Sequence, residues 1–203
     1  MKPEDTVPTR RSFLAGATAA LMITAAGRAN SSPATARAFI TDLGNEAVSI
    51  LQSRQPSAER ASRLEALFRR AFDFRAIGRF VLGRYWNTAN PQQREEYLRA
   101  FTDYVTRSYA QRLADEEVSG FEITSVRDLG QDEYLVQTQI GRPTGAPLNY
   151  GWRVRQTSSG PRIVDVIVEN VSLLVTHRSD FTSVAQREGI EGLTQSLRNK
   201  AVR

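Results

Sequence analysis

The chemistry open to this 203-residue chain is bounded by one histidine, His177, and by a complete lack of cysteine. Thiol catalysis, a disulfide framework and cysteine-ligated zinc are excluded, and one imidazole is too few for the usual transition-metal sites. No serine lies in a G-x-S-x-G elbow, so a Ser-His-Asp hydrolase lacks its nucleophile. The stretch from Gly78 to Gly83 has neither the spacing nor the strand-before-helix setting of a phosphate-binding loop. What remains is carboxylate chemistry: Asp115 with Glu116 and Glu117, or Asp165 with Glu169, are the pairs that could share acid and base roles. The first set reads better as the solvated end of a helix. Asp165 interrupts an apolar strand and reads as structural, on that strand's wet face, while His177 reads as a surface or capping residue near a helix end.

The elements that must position these residues fall into a helical half and a stranded half. Ser32-Pro33 supplies a cap and a first-turn proline for a helix whose apolar members are Phe39, Ile40, Leu43, Ala47, Ile50 and Leu51, ending by Pro56. Ser57 opens a second helix with Leu64, Leu67, Phe68, Ala71 and Phe72 inward, and Asp73 caps a short third that Gly83 ends. Asn90-Pro91-Gln92-Gln93 combines an N-cap, a first-position proline and a capping-box glutamine, and predicts a helix to about Glu117. Its stripe of Tyr97, Phe101, Tyr104, Val105, Tyr109, Ala110 and Leu113 is rich in aromatics. Such a stripe is either plain core or the wall of a ligand cavity, and periodicity does not separate the two.

Past Gly120 the period changes to two. Phe121 to Val126, Tyr134 to Ile140, Leu148 to Gln156 and Ile163 to Val168 alternate between turns at Gly130-Gln131-Asp132, a loop holding Pro143 and Pro147, and Ser158-Ser159-Gly160-Pro161. Four strands in series predict an antiparallel meander with one dry face for the helices to cover. The chain then returns to helix from Leu173, broken near Gly189. The fold class is α+β: a helical N-terminal half packed on a curved, mainly antiparallel four-stranded sheet that encloses an apolar pocket.

Thr9-Arg10-Arg11-Ser12-Phe13-Leu14-Ala15 and the alanine-rich run to Ala26 match a twin-arginine export signal, with cleavage after Ala29 favoured by small residues at Gly27 and Ala29. Residues 1–29 are therefore read as leader and residues 30–203 as one domain, with no membrane span beyond the leader. Removing the leader lowers the formal charge from +5 to +3. The remaining basic residues are interleaved with acids, as in Arg94-Glu95-Glu96, which describes a solvated surface and not a nucleic-acid footprint.

The run Phe74-Arg75-Ala76-Ile77-Gly78-Arg79-Phe80-Val81-Leu82-Gly83-Arg84-Tyr85-Trp86, then Thr88 to Arg94, Val168-Glu169-Asn170-Val171-Ser172-Leu173 and Arg178-Ser179-Asp180-Phe181, resembles the MlaC (toluene-tolerance auxiliary) family in order and spacing. The resemblance extends from about Pro33 to Lys200. One departure is Asn170, where members often carry glycine, although asparagine tolerates positive φ. The twin-arginine leader is a second. The resemblance implies an NTF2-like α+β fold with a deep pocket for acyl chains, no enzymatic activity and no cofactor. It implies a monomeric periplasmic carrier moving phospholipid between an outer-membrane lipoprotein complex and an inner-membrane ABC transporter with a membrane-anchored lipid-binding subunit, so maintaining outer-membrane lipid asymmetry. A hopanoid or other lipid as cargo, or an NTF2-like enzyme using Asp165 as a base, are the alternatives.

A lipid cargo makes sense of the empty catalytic inventory. A diacyl phospholipid exposes on the order of 30 methylenes, and leaving them in water costs roughly 20 kcal/mol or more. A carrier needs only a place to hide them. Periodicity nominates Phe80, Val81, Tyr85, Phe101, Tyr104, Val105, Val136, Ile140, Tyr150, Trp152, Val166 and Val168 as the pocket wall. Arg84, Arg153 and Arg155 are the cations expected near its mouth, where acidic partners or head groups would meet them.

Overall fold

The computed structural model describes residues 31–201, so the leader expected over residues 1–29 lies outside the described residues. Six helices and five strands follow in chain order. Helices α1 (Pro33–Leu51), α2 (Ser57–Ala71), α3 (Phe74–Leu82), α4 (Tyr85–Thr88) and α5 (Pro91–Ala114) precede strands β1 (Gly120–Gly130), β2 (Glu133–Gly141), β3 (Leu148–Thr157), β4 (Gly160–Val168) and β5 (Val171–Ser172), and α6 (Leu173–Ala201) closes the chain. The strands form one antiparallel sheet in the order β1-β2-β3-β4-β5, a meander one strand longer than the four expected.

The helix starts are set by local chemistry. Ser32 accepts a hydrogen bond from the Thr35 amide at 3.1 Å, Asp73 from the Ala76 amide at 2.9 Å, and Asn90 and Gln93 bond reciprocally as a capping box. Gly83 ends α3 at φ +58°, a backbone region glycine enters freely. The short α4 was not legible, because its four residues fall between a glycine stop and the next cap. Helix α5 ends three residues before Glu117, since Asp115, Glu116 and Glu117 place negative charge at the negative end of the helix dipole. Helix α6 is broken at Gly189, which takes φ +71° inside it.

Two strand connections require left-handed backbone without glycine. Gln131 and Asp132 join β1 to β2 at φ +53° and +59°, and Glu169 and Asn170 join β4 to β5 at +45° and +68°. Both pairs have the signs of a type I′ hairpin turn. The Asn170 departure therefore sits where asparagine is among the better-tolerated side chains. Glu169 reinforces its turn by accepting from the Asn149 amide at 2.7 Å.

Three apolar clusters hold the layers together. One joins α3 to α6 through Val81, Leu82, Tyr97, Phe101, Phe181 and Leu193. A second packs α1 and the end of α2 on the sheet through Ile40, Ala71, Tyr134, Val136, Val154 and Ile163, and a third locks α1, α2 and α5 through Ile50, Leu64, Leu67 and Ala110. The sheet's outer face is not uniformly wet. Leu135 is buried there, and a Cβ on the diagonally placed Gly151 of β3 would lie 3.1 Å from a Leu135 methyl and 3.3 Å from the Ile167 Cβ, so glycine at 151 leaves both side chains room.

Next to Leu135, Glu133 is buried and takes hydrogen bonds from Arg153 at 2.6 Å and Arg155 at 2.7 Å. Both arginines are thus committed to the sheet, which corrects the expectation that they guard a pocket mouth. Burial raises the Glu133 pKa, but bonds from the two arginines outweigh it and hold the group below its usual range. A carboxyl depressed in the folded state stabilises at neutral pH, and that contribution fades as pH falls through the carboxylate range. Glu133→Gln is expected to lower stability by about 1 kcal/mol at pH 7 and to shrink the loss between pH 7 and 4; urea melts at the two pH values check both.

Candidate functional site

Where the three clusters fail to merge, two adjacent cavities remain. The first, of about 160 Å³, lies among all three and is walled by α3 and α5, by Val164, Val166 and Val168 of β4, and by the first turns of α6. The second, of about 300 Å³, lies between α1, α2 and the inner sheet face, with Leu43, Ala47, Leu64, Ile140 and Ile163 in its wall. Phe68, Phe72, Leu113, Tyr150 and Trp152 line both and form the partition. Both interiors are overwhelmingly apolar, so the chemistry they offer is sequestration of hydrocarbon.

The partition is held by aromatic contacts. Tyr150 and Trp152 stack at 5.7 Å, and the Trp152 indole donates to the Thr138 hydroxyl at 3.0 Å, which fixes the ring's tilt. Phe68, Phe72, Phe74 and Phe101 follow one another at centroid spacings of 5.9, 5.6 and 6.5 Å. The chain of rings continues through Phe181 to His177 and Tyr109. Such stiff, weakly polar surfaces keep a cavity open where flexible aliphatic side chains would collapse into it.

Of the twelve residues nominated for the wall, seven line a cavity. Phe101, Val105, Tyr150, Trp152, Val166 and Val168 face the first, and Ile140 faces the second together with Tyr150 and Trp152. The other five do not. Val81 and Val136 are wholly buried in solid core, Tyr104 and Tyr85 pack against the helical cluster, and Phe80 stands 40% exposed beneath the Arg178 guanidinium, 4.6 Å from its ring centre. Periodicity places Val81 and Val136 inward as the structure does and fails for the exposed Phe80, and it does not distinguish a residue facing packed atoms from one facing a void. The aromatic stripe of α5 divides in the same way: Phe101, Val105, Tyr109 and Leu113 line the first cavity while Tyr97 and Ala110 are core. Arg84 lies across the Tyr85 ring at 5.0 Å and lines neither cavity.

Sequence reasoning also missed contributors from α1 and α2, and it misplaced two polar residues. Asp165 is buried, not on the wet face: one carboxylate oxygen accepts from Ser172 Oγ at 2.7 Å and the other from the Leu174 amide at 3.1 Å, while Ser172 Oγ in turn accepts from Val175. This double cap ties β4 to the positive end of α6. His177 is half-buried in the wall of the first cavity, with Nε2 3.0 Å from the Tyr109 hydroxyl. Burial draws its pKa below the ordinary imidazole value. Asp115, Glu116 and Glu117 are exposed, the last two at the edge of the second cavity. Among the described residues, no group of three His, Asp or Glu side chains is placed to hold a metal ion.

A family model, that of the MlaC protein, matches residues 41–199. The chain belongs to the MlaC family. This MlaC-family chain is 26% identical over 128 residues to the intermembrane phospholipid transport system binding protein MlaC of Haemophilus influenzae, a match spanning 61% of this chain and 60% of that relative. Its fold is that of a solved phospholipid-binding protein from Ralstonia solanacearum, determined in complex with a phospholipid. The TM-score is 0.71 at 21% identity, covering 82% of this chain and 97% of that one. The open five-stranded sheet under a helical N-terminal half is thus the architecture this MlaC-family member shares with that structure.

Proposed function

We propose that this protein is a non-enzymatic carrier that takes the acyl chains of a phospholipid into its two cavities. The observation that carries the reading is the pair of apolar cavities, held open by a shared aromatic partition, in a chain of the MlaC family. The Ralstonia protein of the same fold holds a phospholipid, and the Haemophilus relative is named for intermembrane phospholipid transport. Both support the cargo. The twin-arginine segment at residues 9–15 supports export, with residues 30–203 as the mature periplasmic domain.

In this reading the protein shuttles phospholipid between an outer-membrane lipoprotein complex and an inner-membrane ABC transporter, and so maintains outer-membrane lipid asymmetry. Each step of such a shuttle moves hydrocarbon between apolar environments, so its free-energy change is small although the chains never meet water. The protein's contribution is a closed route. Purified protein mixed with donor vesicles holding a self-quenched fluorescent phospholipid, and with unlabelled acceptor vesicles, is expected to speed dequenching in proportion to its concentration. A rate equal to that of vesicles alone would count against the carrier reading.

A further inference from the structure

The wall of the first cavity carries one pair of polar side chains bonded to each other, Tyr109 and His177. Phe74 and Ile77 of α3 and Phe101 of α5 line it with apolar surface. Tyr109 lies eight residues further along α5, about 12 Å at the helical rise, and meets His177 of α6 there. The charged groups acting on the two rings are Arg112 on α5 and Asp180 on α6, both exposed. Of the other polar liners, Thr106 donates to the Thr102 carbonyl at 2.9 Å, the Trp152 indole donates to Thr138 at 3.0 Å and Asp165 caps α6, while Tyr150 stands in the partition shared with the second cavity.

The Tyr109–His177 pair differs, because one hydrogen bond does not exhaust it. When Nε2–H donates to the phenol oxygen, the Tyr109 O–H is left to donate. When the phenol donates to Nε2, the phenol oxygen keeps its lone pairs. The pair can therefore turn a donor toward whatever enters the cavity, and a protonated imidazole, which only donates, locks that arrangement. Building on the carrier reading, we infer that Tyr109 and His177 form a recognition site for an acceptor oxygen at the ester–phosphate end of the lipid, with the acyl chain running from them toward Phe74 and Ile77. The site sets how deep the lipid sits.

The test uses Tyr109→Phe, which keeps a ring against His177 and removes only the hydroxyl, and His177→Phe, which keeps a ring between Tyr109 and Phe181 and removes the imidazole nitrogens. Each protein is titrated with dioleoyl phosphatidylglycerol and with dioleoylglycerol, both brominated in the acyl chains, and binding is read as quenching of Trp152, which lines both cavities. Each variant is expected to bind phosphatidylglycerol about three- to tenfold more weakly. Equal weakening for dioleoylglycerol places the contact at an ester oxygen, and weakening confined to phosphatidylglycerol places it at the phosphate. In the wild type, phosphatidylglycerol affinity rises as pH falls through and below the ordinary imidazole range, where His177 gains its proton, and in His177→Phe it stays flat. Variants that match the wild type with both lipids overturn the site while leaving the carrier reading intact. A wild type that binds neither lipid overturns both.

Discussion

Val105→Asp is expected to give a folded protein that retains less than a tenth of the lipid held by the wild type. Val105 is half-buried on α5, where it borders the helical cluster and lines the first cavity. In the empty protein an aspartate there keeps a partial water shell, so the fold loses little. Once an acyl chain enters, that water must leave and an ionised carboxylate is left against hydrocarbon, a penalty of several kcal/mol if the group stays charged. Even about 1.4 kcal/mol lowers affinity tenfold. Lipid phosphorus per mole of purified variant, together with its circular dichroism, checks both halves; a variant with wild-type lipid content would remove Val105 from the binding wall.

The same substitution at Val136 has the opposite result. Val136→Asp is expected to leave no folded protein at all. Val136 has no solvent exposure, pairs across the sheet with Val126 and Trp152, and packs with Val154 and Ile163 under α1 and α2. It lines neither of the two cavities, so an aspartate meets closely packed hydrocarbon at a cost beyond about 4 kcal/mol, a large part of a domain's whole stability. The variant is expected to be insoluble or to lack a cooperative melt. Val136→Ala separates stability from binding: it loses about 2 kcal/mol by chemical denaturation and keeps its lipid. A soluble, cooperative Val136→Asp protein emptied of lipid would instead make Val136 a wall residue.

These two valines show how far the sequence is legible and where it stops. Period-3.6 and period-2 patterns placed both inward, and caps such as Asn90 with Gln93, or the glycine break at Gly189, set element ends within a few residues. What lies beyond an inward side chain depends on which of three clusters its neighbours join, and that is decided by contacts distant in sequence. The burial of Asp165 escapes alternation because alternation describes a strand alone, whereas its partners, Ser172 of β5 and Leu174 of α6, lie beyond the next turn. His177 was read at a helix end, which is correct, yet Tyr109 lies 68 residues away and no local pattern announces the pair. Phe80 is inward by period, but it stands exposed, with Arg178 of α6 over its ring.

Lipid identity and stoichiometry follow from one measurement on the purified protein: mass spectrometry of its organic extract against a mock purification. Phospholipid at near one molecule per chain is the result expected of a carrier whose cavities hold acyl chains. A polycyclic lipid in its place would keep the carrier and replace the cargo. Protein that yields no lipid, before and after incubation with phospholipid vesicles, would contradict the account.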